Sequence, residues 1–262
     1  MGVEAYYPWE FDPSLGAAAS LDFVSDKSGN GNDLTGFNPT AVVIADTINE
    51  IERFTDIFFD GNSKLMYSVP NGGFMTAPID FRSVGMWIRP SSLSGRQTLY
   101  EEGNLGGGIG LRLNGGTLQS AISVIYSAIP LDFDTYEISA PFPNDGAWHH
   151  IAYTYDSDEF KIYIDGVPVD SVDTGIGPFP IDATSEGGFS GNWGWHSFMF
   201  FDFTLAQITA FLVSDPPSDF YTGLMDFTTV HDIALSQDQI EDLIANSGDR
   251  HGLTADSYTV TV

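Results

Sequence analysis

The sequence predicts an all-β fold, an antiparallel sandwich or barrel, with one short helix near the C-terminus. Three observations predict it. Short apolar runs recur along the chain and are broken by Gly, Asn, Asp and Pro, the residues that favour turns. The 262 residues include 20 Phe and 11 Tyr, which suit a pleated, half-buried surface better than a helix. With 28 Gly and 14 Pro, the chain has turn residues enough to separate many short strands. The apolar fraction of 42% suffices for a packed core. No internal repeat or low-complexity linker is found, and the length suits one large sandwich or two small domains.

The strand-like runs follow in order. They are "KLMYSVP", "SVGMWIRP", "RQTLYEEG", "GIGLRLNGG", "TLQSAISVIY", "WHHIAYTY", "EFKIYIDG", "LAQITAFLV" and "GLMDFTTVH". Within "WHHIAYTY", neighbours point to opposite faces of a sheet. His149 therefore shares a face with Ile151, Tyr153 and Tyr155, and His150 shares the other with Trp148, Ala152 and Thr154. Two histidines on opposite faces cannot chelate one ion, so they read as packing, hydrogen-bonding residues. "DSDEFKIYIDG" completes a hairpin, with Phe160, Ile162 and Ile164 on one face. The helix is "ALSQDQIEDLIANSGD": Ser236 reads as its N-cap, Ile240, Leu243 and Ile244 as its apolar face, and Gly248 as its stop.

The formal net charge is −27. That excludes a nucleic-acid partner, whose phosphates need a positive surface. Self-repulsion on this scale is tolerable where salt screens it or cations bind, which implies a saline or calcium-rich exterior; simple solubility is the plainer reading. No apolar run approaches the ~20 residues of a membrane span, so membrane insertion is not expected. The opening "MGVEAYYPWEFDPSLGAAAS" lacks the basic and apolar regions of a signal peptide. The absence of Cys removes disulfides, thiolate metal sites and cysteine nucleophiles.

"DGAWHHIAYTYDSDEFKIYIDGVPV" resembles the central hairpin of the laminin-G-like jelly rolls in the concanavalin A-like lectin/glucanase superfamily. Its pattern is Trp-His-His, alternating apolars, then Tyr-x-Asp-Gly. "VSDKSGNGNDLTG", "IFFDGNSKLMYSVP" and "GLMDFTTVHDIALSQDQIEDLIANSG" resemble that family's opening loop, its Phe-Asp-Gly step and its closing strand and helix, in the right order. "GMWIRPSSLSGRQTLYEEG" resembles the strand between them. The resemblance runs from about Tyr6 to Gly248. It implies a two-sheet jelly-roll sandwich, a single domain over residues 1–252 and a tail over 253–262. Insertions fall near 123–145 and 176–205, where an individual role would be encoded. The fold hosts lectins, adhesive modules, viral structural proteins and polysaccharide-cleaving enzymes, so function rests on the site.

Three constellations bear on that site. Retaining glucanases of the superfamily carry Glu-x-Asp-x-x-Glu, and "DFDTYE" offers Asp132, Asp134 and Glu137. Such carboxylates must stand ~5 Å apart. Strict alternation sends Glu137 to the face opposite Asp132 and Asp134, so a solvated acidic loop is expected instead. The resemblance also implies structural calcium between the N-terminal loop and the closing strand, with Asp26, Asn30 and Asp226 as ligands. Calcium wants six to eight oxygens; without an ion, Asp26 and Asn30 would cap turns. "FSGNWGWHSFMFFDF" gathers Trp193, Trp195, Phe198 and Phe200, which suit a buried strand, an intersubunit contact or a glycan platform. "GNLGGGIG" lies between strands with no Lys or helix after it, so it is a turn rather than a phosphate loop.

The expected function is a non-enzymatic structural or adhesive protein on an external particle, such as a virion decoration, spike or fibre. Its partners would be further copies of itself or capsid and tail proteins, together with surface glycans. A calcium-dependent lectin is the alternative, and a polysaccharide-cleaving hydrolase or lyase comes after it. The expected location is extracellular or on a virion surface.

Overall fold

The computed structural model describes residues 3–7, 23–24, 26–37, 42–46, 54–61, 64–67, 80–104, 107–128, 131–175, 186–189 and 219–247. The strands are β1 (Val3–Tyr7), β2 (Phe23–Val24), β3 (Leu34–Phe37), β4 (Val42–Asp46), β5 (Phe54–Asp60), β6 (Lys64–Tyr67), β7 (Arg82–Pro90), β8 (Arg96–Asn104), β9 (Gly107–Asn114), β10 (Thr117–Ala128), β11 (Leu131–Pro141), β12 (His149–Tyr155), β13 (Glu159–Ile164), β14 (Val167–Asp173), β15 (Glu186–Phe189) and β16 (Thr222–His231). The helix, α1, spans Gln237–Ser247.

These strands form two antiparallel sheets. The first runs β14-β13-β12-β7-β16-β5-β4, with β1 also paired to β16; the second runs β11-β10-β9-β8-β15-β6-β3-β2. Alternation decides what each face buries. From the first sheet, Val84, Met86, Ile88, Ile151, Tyr153, Tyr155, Phe160 and Ile162 meet Ile109, Leu111, Leu113, Leu118, Ile122 and Val124 of the second. The predicted faces of His149 and Phe160 are therefore the core-facing ones.

The other face of the first sheet has its own core under α1. Trp87, Ala152 and Tyr163 pack there against Leu235, Ile240 and Ile244, with Leu243 partly buried beside them. Trp87 Nε1 donates to Ser247 Oγ at 2.8 Å. The helix starts where the sequence says. Gln239 N donates to Ser236 Oγ at 3.3 Å, and Ser236 N donates to Gln239 Oε1 at 2.9 Å, a reciprocal capping box. Gly248 lies outside the described residues, as do the "LAQITAFLV" run and the tail.

One expectation is corrected. Asp132–Glu137 lies in the strand β11, not in a loop, and pairs residue by residue with β10. The reason is position: β11 is the edge strand of its sheet, so even its core-facing side is open at Asp134, which is exposed. An edge strand without a fully buried face needs no apolar alternation.

A buried ion pair joins the sheets. Arg82 Nε of β7 donates to Glu102 Oε1 of β8 at 2.8 Å, and both side chains are almost fully buried. Burial pushes the Glu102 carboxyl up, and the adjacent Arg82 only partly offsets it. The pair's net contribution to stability is accordingly modest, while losing either partner alone would strand a buried charge.

Candidate functional site

The histidine pair is structural in its contacts. β13 and β14 are joined by the two residues Asp165 and Gly166, with φ of 51° and 79°, as a tight hairpin turn demands. The turn aims Asp165 back at β12. Its Oδ1 accepts the backbone N–H of His150 at 2.9 Å, and its Oδ2 lies 2.7 Å from His149 Nδ1. His149 Nε2 lies 3.1 Å from Asp145 Oδ1, and Phe142 stands edge-on to the ring at 5.3 Å. The Asp165 hydrogen bond holds the His149 pKa above the ordinary value; burial opposes it and Asp145 reinforces it. His150 lies on the opposite face, buried beneath α1 and edge-on to Trp87 at 5.4 Å. Trp-His-His and Asp-Gly thus form one hydrogen-bonded unit, with the two rings on opposite faces of β12.

The outer face of the second sheet is polar and built on small residues. Ile109, Leu111 and Leu113 fill the core, so Gly108, Gly110 and Arg112 of β9 face outward. By the same alternation β10 presents Gln119, Ala121 and Ser123, and β11 presents Thr135, Glu137 and Ser139. Arg112 Nε donates to Gln119 Oε1 at 2.7 Å, and Gln119 Nε2 donates to Glu137 Oε1 at 2.8 Å. Thr135 Oγ1 donates to Ser123 Oγ at 3.3 Å on the same face. Polar side chains therefore run across three strands, from the buried Arg112 to the exposed Glu137, over a floor of Gly110 and Ala121. Arg112 and Gln119 were legible as outward positions of alternating strands, but nothing in one sequence marks them as partners.

Glu137 stands apart from other candidate carboxylates. Asp134 projects from the opposite face of β11, as alternation requires, and is exposed. Asp132 pairs with Ser127. Glu101 shares the outer row with Gly110, Ala121 and Glu137, three strand spacings away. At about 4.8 Å per strand that is roughly 14 Å. Glycosidase carboxylates stand at about 5–9.5 Å, so Glu137 and Glu101 lack the separation for glycoside cleavage.

Asp26 organises the loop 26–33. Its Oδ1 accepts Tyr6 N at 2.9 Å and Ser28 N at 2.8 Å; its Oδ2 accepts Ser28 Oγ at 2.7 Å and Asn32 N at 3.0 Å. Asn30 is exposed, and its N–H donates to Ser28 Oγ. Asp226 is almost fully buried, and its Oδ1 accepts Phe227 N at 2.7 Å. That bond sits at a bulge of β16, where Phe227 has φ of 44°. Phe227 meets Tyr6 edge-on at 5.1 Å, so Tyr6 ties the Asp26 loop to the closing strand. Both Asp26 oxygens already accept N–H and O–H donors, which a cation would repel, so this donor set does not fit calcium as it stands. Among the described residues no group of three or more His, Asp or Glu gathers as a metal site. Trp193, Trp195, Phe198 and Phe200 lie outside the described residues. No described helix is long and apolar enough to cross a membrane.

A laminin G family model of the concanavalin A-like lectin/glucanases superfamily matches residues 66–241. The comparison with curated proteins gave no match. Among solved structures, the chain is similar to domain 4 of AbnA, a GH43 extracellular arabinanase from Geobacillus stearothermophilus, in complex with arabinotriose. Identity is 21% and the TM-score 0.55, over 92% of this chain and 98% of that one. It is similar to the binding domain of Paraclostridial Mosquitocidal Protein 1 at 14% identity and TM-score 0.61, over 94% of this chain and 52% of that one. This chain thus spans about half of that toxin domain. It is also similar to the CBM40 of Ruminococcus gnavus IT-sialidase bound to alpha2,3 sialyllactose, at 13% identity and TM-score 0.51, over 72% and 95%. At these identities the likeness is one of fold.

Proposed function

The chain belongs to the concanavalin A-like lectin/glucanase superfamily, and on that premise we propose that it is a non-enzymatic recognition module binding a glycan on the outer face of the β11-β10-β9-β8 sheet. The observation that carries this reading is the Arg112–Gln119–Glu137 ladder over Gly110 and Ala121. Sugar hydroxyls are both donors and acceptors, and the Gln119 amide and Glu137 carboxylate, pre-ordered from beneath by Arg112, offer both. Gly110 and Ala121 beneath the row are buried, so the accessible end of the row is the half-buried Gln119 and the exposed Glu137. The arabinotriose and sialyllactose complexes of two structural neighbours support the same reading. The roughly 14 Å between Glu137 and Glu101 on the same row supports binding without cleavage.

Display on an external particle, a virion decoration among them, is the finer form of this proposal. The net charge of −27 favours a salt-rich exterior and rests on no residue of the site. Light scattering with and without chelator addresses it: a discrete oligomer supports a displayed assembly, and a clean monomer in both conditions counts against one.

The binding reading is tested on a glycan array, followed by calorimetry on the best sugar. The exposed Glu137→Ala and the half-buried Gln119→Ala are expected to weaken binding about tenfold each, the worth of one or two hydrogen bonds. A silent array, or full affinity in both variants, would refute the assigned face. Turnover of a polysaccharide that Glu137→Gln abolishes would replace binding with catalysis.

A further inference from the structure

We propose that His149, held between Asp165 and Asp145, is a pH-operated latch on the loop connecting β11 to β12. A neutral imidazole carries one N–H and one lone pair, whereas the imidazolium carries two N–H groups. Here both ring nitrogens meet carboxylate oxygens, at 2.7 Å and 3.1 Å. A neutral ring would satisfy one of them and turn a lone pair on the other, so this geometry belongs to the charged ring.

The two arms differ in how firmly they are held. Asp165 sits in the two-residue turn, and its other oxygen accepts the His150 N–H, so it stays when the ring loses a proton. Asp145 lies on the loop with a side chain 57% exposed, against 30% for Asp165. It is the arm that leaves. The largest charged contributions to the ring's titration come from these two carboxylates, one from the β13–β14 turn and one from the loop. Phe142 covers the ring edge-on, and its N–H donates to Gly116 O, which keeps that end of the loop on the second sheet. Release therefore frees the stretch around Asp145, immediately after the strand that carries Glu137.

The signs set the window. The His149 pKa is raised, so its contribution is complete below the ordinary imidazole value and is lost as pH rises through the folded value. The Asp145 pKa is lowered, by the Ala147 N–H first and His149 second. Its contribution is present above the ordinary carboxylate value and is lost as pH falls through the lowered one. The latch is closed between these limits and opens on the alkaline side.

The test uses NMR on the whole chain. The Ala147 amide, which donates to Asp145 Oδ1 at 2.8 Å, reports the loop, and the His149 ring proton reports the charge. His149 should titrate above about 6.5. Solvent exchange of Ala147, corrected for intrinsic rate, should quicken severalfold as pH rises through that midpoint. In Asp145→Asn the midpoint should move down toward the ordinary value, and Ala147 exchange should stop following it. Asp145 is exposed, so this variant keeps the fold. A wild-type midpoint at or below the ordinary value would overturn the proposal. So would Ala147 exchange that ignores the midpoint, or an unchanged midpoint in Asp145→Asn.

Discussion

Asp165 shows what one side chain contributes in this fold. It takes a left-handed conformation in the β13–β14 turn, accepts the His150 N–H and meets the His149 ring, all from one position. Asn tolerates the same backbone and keeps an acceptor oxygen, while Ala keeps neither advantage. Asp165→Ala should therefore cost about 2–4 kcal/mol, for two lost bonds and an unfavourable φ. Asp165→Asn should cost about half of that or less, because His150 N keeps its partner. Urea denaturation of the two variants measures the difference, and equal losses would show that the charged contact with His149, which both variants lose, carries the whole effect. The Tyr-x-Asp-Gly signature was legible in the sequence, and alternation separated the two histidines correctly. What no sequence rule supplied was Asp145, because it reaches His149 through loop geometry rather than through a strand register.

At the scale of elements, apolar periodicity marked the strands that are buried and failed where it had no burial to record. β7 and β12 each pack one face into the main core and the other under α1, so residues of both faces are buried and the runs stand out as strands. β11 was read as an acidic loop because its Asp134 side needs no cover at a sheet edge. The Arg112–Gln119–Glu137 ladder escaped notice for a related reason: its members come from three strands, and pairing across strands is set by register rather than by sequence neighbours. The helix was the easiest element, since capping residues and apolar face agree. Ser236→Ala removes the acceptor for Gln239 N at a position with no core contact, so it should cost about 1 kcal/mol. Ile240→Ala opens a cavity against Trp87 and Leu235 and should cost about 2–5 kcal/mol. Both helix changes lie on the far side of the first sheet from the ladder, so neither should alter glycan affinity. Thermal melts paired with calorimetry check both halves of that statement, and an affinity loss in Ser236→Ala would contradict the assigned binding face.

For the molecule as a whole, charge sets a term that no single contact reveals. Nine Lys and Arg stand against 36 Asp and Glu, so most carboxylates face others of their own sign. Folding brings them closer than in the open chain, and the compact state bears the larger repulsion. Salt shortens the reach of that repulsion, from about 8 Å at 0.15 M to about 3 Å at 1 M. The melting temperature should therefore rise steadily as sodium chloride goes from about 0.05 M to about 1 M. A flat or falling curve would mean that local pairs such as Arg82–Glu102 and the His149 clamp, rather than net repulsion, dominate the electrostatics. Repeating the series in calcium chloride at matched ionic strength separates screening from site binding. Equal curves are expected, because the Asp26 carboxylate is already committed to four donors. A calcium curve lying well above the sodium curve at low concentration would instead require a saturable site, and loss of that excess in Asp226→Asn would place it at the closing strand.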